Sequence, residues 1–107
     1  MIAAFVLAAL LQTAPAPSQA EEFDIVVIGR RLSEVSVTVG RDPRGKFTCG
    51  LNKTTGNARL DRALCTAAAT CVRKGARDGA TVRVCVDRRK PDLLADIRKS
   101  MARRAAQ

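Results

Sequence analysis

The predicted fold rests on one stretch of sequence, NARLDRALCTAAATCVRKG, residues 57–75. Asn57 is a favourable helix N-cap, and Gly75 is typical of the residue that follows a helix end. Between them, apolar residues recur at the three- and four-residue spacing of one helix face: Leu60, Leu64, Ala67 and Cys71. The stretch therefore predicts a helix from Asn57 to about Lys74 that carries two cysteines.

Four short segments outside this helix are rich in β-branched or apolar residues and predict strands. They cover residues 23–29 (FDIVVIG), 35–39 (VSVTV), 46–49 (KFTC) and 81–86 (TVRVCV). Pro91 favours the first turn of a last helix over residues 91–105. The predicted fold class is α+β: a small three- to four-stranded, mainly antiparallel sheet with one disulfide-stapled helix and a basic C-terminal helix.

The segment between the second and third predicted strands, GRDPRGKF at residues 40–47, has the spelling of a nucleotide-binding P-loop without its chemistry. Phe47 stands where a P-loop has the Ser or Thr that holds Mg²⁺, and Pro43 lacks an N–H donor for a phosphate. Asp42, Pro43 and Gly45 occupy preferred positions of a type I turn. We therefore predict an antiparallel hairpin and no nucleotide.

The four cysteines, at positions 49, 65, 71 and 85, predict two disulfides. The chain has no histidine and no C-x-x-C pattern, so no metal site is predicted. Cys65 and Cys71 lie about 9 Å apart along the predicted helix, which is too far for a disulfide. Two pairings remain: Cys49–Cys71 with Cys65–Cys85, or Cys49–Cys65 with Cys71–Cys85. The first is preferred, because Cys49 and Cys71 both face the predicted core.

Residues 1–20 have the layout of a secretory signal peptide. They carry no charge, Ile2 to Leu11 are all apolar, and Ser18 and Ala20 are the small residues of a cleavage site. The apolar run is about half the ~20 residues that a membrane span requires, so no transmembrane anchor is expected after cleavage. Residues 21–107 are then one small disulfide-stabilised domain in a periplasmic or secreted location.

Two stretches carry a family resemblance: FDIVVIGRRL at residues 23–32 and FTCGLNKTTGNARLDRALCTAAATC at residues 47–71. They resemble a group of short, uncharacterised exported proteins of high-GC proteobacteria. In that group the mature chain opens with an IVVIGR strand and later shows a Thr-Gly-Asn stretch before paired cysteines. The resemblance implies an exported, cysteine-containing protein, and it transfers no activity and no site residue.

The charge balance points to an anionic partner. Nineteen Lys and Arg against ten Asp and Glu give a formal net charge of +9, and such a surface attracts anions. The residues predicted to bind the anion lie near the carboxyl terminus: Arg88, Arg89, Lys90, Arg98, Lys99, Arg103 and Arg104. The expected partner is an anionic envelope component (lipid head groups, lipopolysaccharide or another polyanion) or an acidic protein.

Catalysis is not expected from this composition. The chain lacks His and Tyr, and disulfides would leave no thiol, so few groups remain for acid–base or nucleophilic chemistry. We therefore predict a non-enzymatic protein with no catalytic residue and no cofactor. The alternative to anion binding is a protein–protein interaction module or inhibitor in the cell envelope, acting through a strand edge or the face of the sheet.

Overall fold

The computed structural model describes residues 19–106, with side chains from residue 22 onward. The elements are α1 (Gln19–Glu34), β1 (Val37–Arg41), β2 (Phe47–Leu51), α2 (Ala58–Arg73) and α3 (Gly79–Ala105). The fold class is α+β, as predicted. The predicted signal peptide, residues 1–20, lies almost entirely outside the described residues and stays a prediction.

The sheet has two strands within residues 19–106, so the predicted third and fourth strands are wrong. The segment at residues 23–29 lies in α1, where Ile25, Ile28 and Leu32 are buried. These positions have the i, i+3, i+7 spacing of one helix face. Burial of that face outweighs the local β preference of Ile and Val.

The segment at residues 81–86 lies in α3 for the same reason. Val82 and Val86 are buried at the i, i+4 spacing of a helix, whereas Val84 is 50% exposed. The alternation that predicted a strand is therefore not a pattern of burial. Asp78 caps the helix by accepting a hydrogen bond from the Thr81 backbone N–H at 2.7 Å. The C-terminal helix predicted at residues 91–105 is the second half of α3, with Pro91 inside it.

The predicted hairpin is confirmed. β1 and β2 pair antiparallel, with Val37 opposite Leu51 and Arg41 opposite Phe47. The Gly45 backbone N–H donates to the Asp42 carbonyl at 2.9 Å, and Gly45 has φ 81°, which favours glycine. Because β2 follows the turn directly, the segment lacks the loop-to-helix geometry of a P-loop.

The two disulfides join Cys49 to Cys65 and Cys71 to Cys85, with Cα–Cα distances of 5.7 and 6.1 Å. The preferred pairing, Cys49–Cys71 with Cys65–Cys85, is wrong, and the alternative forms. Cys85 lies on a helix and not on a strand. On α2, Cys65 and Cys71 point about 120° apart around the helix axis. Cys65 therefore faces β2, while Cys71 faces α3.

The helix α2 lies at the centre of the core. The predicted N-cap is confirmed, because the Asn57 side chain accepts a hydrogen bond from the Leu60 N–H at 2.9 Å. Leu60 and Leu64 are fully buried. Arg59, near the start of α2, contacts Ser100 near the end of α3, whereas the Cys71–Cys85 bond joins the other ends. The two helices are therefore antiparallel, and the start of α2 lies beside the end of α3.

Candidate anion-binding site

The loop before α2 is fixed by hydrogen bonds to one carboxylate. Asp61 accepts from the Thr54 hydroxyl, from the Thr55 hydroxyl at 2.7 Å and from the Thr55 N–H at 2.9 Å, and Thr55 is fully buried. Burial alone would raise the pKa of Asp61, but these hydrogen bonds lower it below its ordinary value. The negative charge of Asp61 is thus directed into the loop.

A cavity of about 280 Å³ opens beside this loop, between the start of α2 and the end of α3. Arg59 and Arg62 line it from the first two turns of α2, and Arg104 lines it from the last turn of α3. Ser100 also lines it and accepts a hydrogen bond from the Arg59 guanidinium at 2.6 Å. We call this space the arginine cavity. No acidic residue is among its lining residues.

The position of Arg104 follows from the apolar stripe of α3. Ile97 is buried and Met101 is half-buried, and Arg104 is the next residue at the same helical spacing. The apolar core ends before that position is reached, so the stripe places a guanidinium at the rim of the molecule. A fourth guanidinium lies close by, because a Cβ built on Gly56 would be 2.5 Å from Nη1 of Arg31.

Three other carboxylates make ion pairs or hydrogen bonds away from the arginine cavity. Glu34 pairs with Lys53 at 3.1 Å, and Asp87 pairs with Lys90 at 2.8 Å. Asp78 caps α3, and the hydrogen bond from the Thr81 N–H lowers its pKa. Among the described side chains, residues 22–106, ion pairs form from lysines and none forms from an arginine. The arginine cavity therefore carries positive charge without a carboxylate in contact.

The structure does not bring the seven predicted anion-binding residues together. Arg104 lines the arginine cavity. Lys90 has a structural contact instead, because its ammonium donates to the Val35 carbonyl at 2.7 Å and pairs with Asp87. The other five are spread along about 22 Å of α3, at a rise of about 1.5 Å per residue: Arg88, Arg89, Arg98, Lys99 and Arg103.

Arg59 and Arg62 were not predicted as site residues, although both lie within residues 57–75, the segment that forms α2. They flank the apolar stripe of α2 and appear in sequence as ordinary exposed positions. The one available signal was Arg104, which interrupts the apolar stripe of α3. Only the antiparallel contact of α2 with α3 joins these positions, which are more than 40 residues apart along the chain.

A second groove of about 420 Å³ lies between the hairpin and the end of α2. Its apolar lining comes from the two strands, from the end of α2 and from the turn after it: Val39, Phe47, Val72 and Ala76. Arg41 and Arg77 flank the groove. The Arg41 guanidinium donates to the Gly45 carbonyl at 2.8 Å, which fixes this arginine to the hairpin turn. A larger share of its lining is apolar than in the arginine cavity, and no residue of the loop before α2 lines it.

No protein-family profile matches this chain, and neither the curated proteins nor the solved structures include a significantly similar one. Two disulfides in a chain of this size indicate an environment outside the cytoplasm. Of the helices within residues 19–106, none combines the length and the hydropathy needed to cross a bilayer. In the same residues, no group of three His, Cys, Asp or Glu side chains is placed to hold a metal ion.

Proposed function

We propose that this protein is an exported, non-enzymatic binding protein that takes an anionic partner at the arginine cavity, in a periplasmic or secreted location. The observation that carries the proposal is the convergence of Arg59, Arg62 and Arg104 on one cavity without an acidic lining residue. The planar guanidinium matches phosphate oxygens in pairs, so a phosphate group is the anion that this lining fits best.

A bound anion would stabilise the fold, because the guanidiniums around the cavity repel one another when it is empty. A ligand present at ten times its Kd adds about 1.4 kcal/mol to the free energy of unfolding. For a domain of this size, that corresponds to a rise in Tm of about 5–10 °C. Anion binding can therefore be measured without a known partner.

The first test is thermal unfolding of the oxidised protein with inorganic pyrophosphate, at an ionic strength held constant with chloride. We expect pyrophosphate to raise the Tm of the unchanged protein and of Arg88→Gln. Arg104→Gln should weaken the apparent binding at least about tenfold. Arg88 is the matched control, because it is exposed on the same helix and the substitution removes the same charge.

Two outcomes of this experiment would contradict the proposal. An equal loss of binding in Arg88→Gln and Arg104→Gln would mean that overall charge attracts the anion and the cavity does not. A Kd for pyrophosphate that stays unchanged between low and high salt would exclude a charge-driven site, since contacts between arginines and phosphates weaken as salt rises.

A second candidate function is a protein-interaction module or inhibitor that binds at the groove between the hairpin and α2. The apolar lining by Val39, Phe47 and Val72 favours it, because such a surface binds a protein segment mainly through apolar contacts. Capture of a specific envelope protein that survives high salt and is lost in Val39→Asp, but is retained in Arg104→Gln, would favour this candidate over anion binding.

A further inference from the structure

We infer that the anion at the arginine cavity is the head group of a single-chain amphiphile, whose apolar chain lies along α1. This inference rests on the proposed function and names the class of ligand for the same site. It starts from another cavity, of about 470 Å³, between α1, the loop before α2 and the end of α3, which we call the α1 cavity. That volume falls within the usual range of small-molecule sites.

The α1 cavity has the apolar lining that an alkyl chain requires. Phe23, Val27 and Ile28 contribute from α1, and Met101 contributes from α3. Phe23 is 68% exposed, and Val26, on the same side of the helix, is 54% exposed. Large apolar side chains that stay exposed next to a cavity mark a surface that a ligand can cover.

The two cavities adjoin. Gly56, Asn57 and Met101 line both of them. Arg31 lines the α1 cavity, and its guanidinium lies over Gly56, at the boundary with the arginine cavity. A ligand with its phosphate among the arginines therefore has the apolar side chains of α1 within reach past Gly56.

The charge of the lining distinguishes an amphiphile from a polyanion. The α1 cavity includes one acidic residue, Asp24, which follows Phe23 in the chain. A polyanion running through both cavities would meet repulsion from this carboxylate. An uncharged chain does not, and it gains from leaving water against Phe23 and Val27. One anionic group at one end of an apolar chain is the ligand that fits both linings.

The test compares three probes on the purified, oxidised protein: octyl phosphate, inorganic phosphate and octyl glucoside. The two amphiphiles are kept below their micelle concentrations. We expect octyl phosphate to bind at least about tenfold more tightly than inorganic phosphate, because burying two methylene groups already supplies that factor. Octyl glucoside, which has the chain without the charge, should bind more weakly than octyl phosphate.

Two variants, each of which replaces an exposed apolar side chain with serine, test where the alkyl chain of the probe lies. Phe23→Ser should remove the advantage of octyl phosphate and leave the affinity for inorganic phosphate unchanged. Val84→Ser, at another half-exposed apolar position, should change neither affinity. Arg104→Gln should weaken the binding of both octyl phosphate and inorganic phosphate. Circular dichroism of each variant checks that the helices are intact.

The results separate the inference from the function on which it rests. Equal affinities for octyl phosphate and inorganic phosphate would overturn the amphiphile and keep the anion site. An octyl phosphate affinity that Phe23→Ser leaves intact would do the same. If no phosphate compound binds, both the inference and the proposed function are wrong.

Discussion

Gly56 is the residue on which the geometry of the site depends most. Its φ of 89° lies in the left-handed region, and a Cβ there would come within 2.5 Å of the Arg31 guanidinium. A side chain at this position thus meets a backbone cost of about 1–2 kcal/mol, and it displaces the end of the flexible Arg31 side chain at the boundary of the two cavities. Both effects arise from the Cβ atom that a substitution of Gly56 would add.

We predict that Gly56→Ala lowers the free energy of unfolding by about 2 kcal/mol, whereas Gly45→Ala lowers it by about 1 kcal/mol. Gly45 also has a positive φ, but a Cβ there would meet nothing within 4 Å. Urea denaturation measures the difference. Gly50→Ala, with neither a positive φ nor a close neighbour, is the control and should stay within about 0.5 kcal/mol of the unchanged protein.

Asp61 makes the loop before α2 sensitive to acid. Its pKa is lowered in the folded state, so the stabilisation is complete above the unfolded-state value of about 3.9. It is lost as the pH falls below that value and through the folded-state pKa. The loop should therefore loosen in acid before the disulfide-bonded core does.

We predict that Asp61→Asn lowers the free energy of unfolding by about 1–2 kcal/mol at pH 7, through the loss of charge-assisted hydrogen bonds. The gap to the unchanged protein should narrow as the pH falls below about 4 and through the lowered pKa of Asp61, because its carboxyl group then becomes neutral like the amide. Urea midpoints across this range measure it. Asp92→Asn removes an exposed carboxylate of α3 and is the control. A gap that does not narrow in acid would contradict the role assigned to the Asp61 charge.

Among the helices and strands, those whose ends are marked by nearby residues in the sequence were predicted. The helix α2 and the hairpin were predicted because their end signals lie within a few residues: the Asn57 cap, the Asp42 and Gly45 turn. The helix α1 and the first half of α3 were missed because short runs of Ile and Val fit either a strand or a helix. Burial of one face decided between them, for α1 against α3 and for α3 against α2, and that information lies outside the segment.

The candidate site shows the same division. Arg104 was predicted from its place in a basic segment, but its contact with the arginines of α2 was not. Arg59 and Arg62 become part of a site only when α2 and α3 lie antiparallel. That arrangement depends on α3 being one continuous helix from Gly79. The incorrect prediction of a strand at residues 81–86 therefore had two results: the site was not recognised, and the wrong disulfide pairing was preferred.

At the scale of the whole molecule, α2 is bonded to a neighbour on each side. The loops closed by Cys49–Cys65 and Cys71–Cys85 have sequence separations of 16 and 14. Loops of this length each stabilise a fold by about 3 kcal/mol. The two bonds hold different elements to the same helix, so their loss should have separable effects.

We predict that Cys49→Ser with Cys65→Ser releases the hairpin, while Cys71→Ser with Cys85→Ser separates α3 from α2. Each pair of substitutions should lower the free energy of unfolding by about 3 kcal/mol. Hydrogen exchange measures the difference: the first variant should lose protection mainly in β1 and β2, the second mainly at the start of α3. The same loss in both variants would contradict separate roles.

Mass mapping of the disulfides checks the pairing, with one constraint on the method. No Lys or Arg lies between Cys65 and Cys71, so trypsin leaves both cysteines in one peptide and cannot distinguish the two pairings. A protease that cleaves after alanine can separate them within residues 66–70. A fragment linking Cys49 to Cys71 would contradict the structure.

The order of the cysteines has a consequence for how the protein matures. The bonds join the first cysteine of the chain to the second and the third to the fourth, so the two covalent loops do not overlap. A chain that enters an oxidising compartment amino end first would present Cys49 and Cys65 as a complete pair before Cys71 follows. No incorrect bond then has to be reopened, and uncatalysed rearrangement, which takes minutes to hours, is avoided. We therefore expect an oxidant alone to mature such a chain, without a disulfide isomerase.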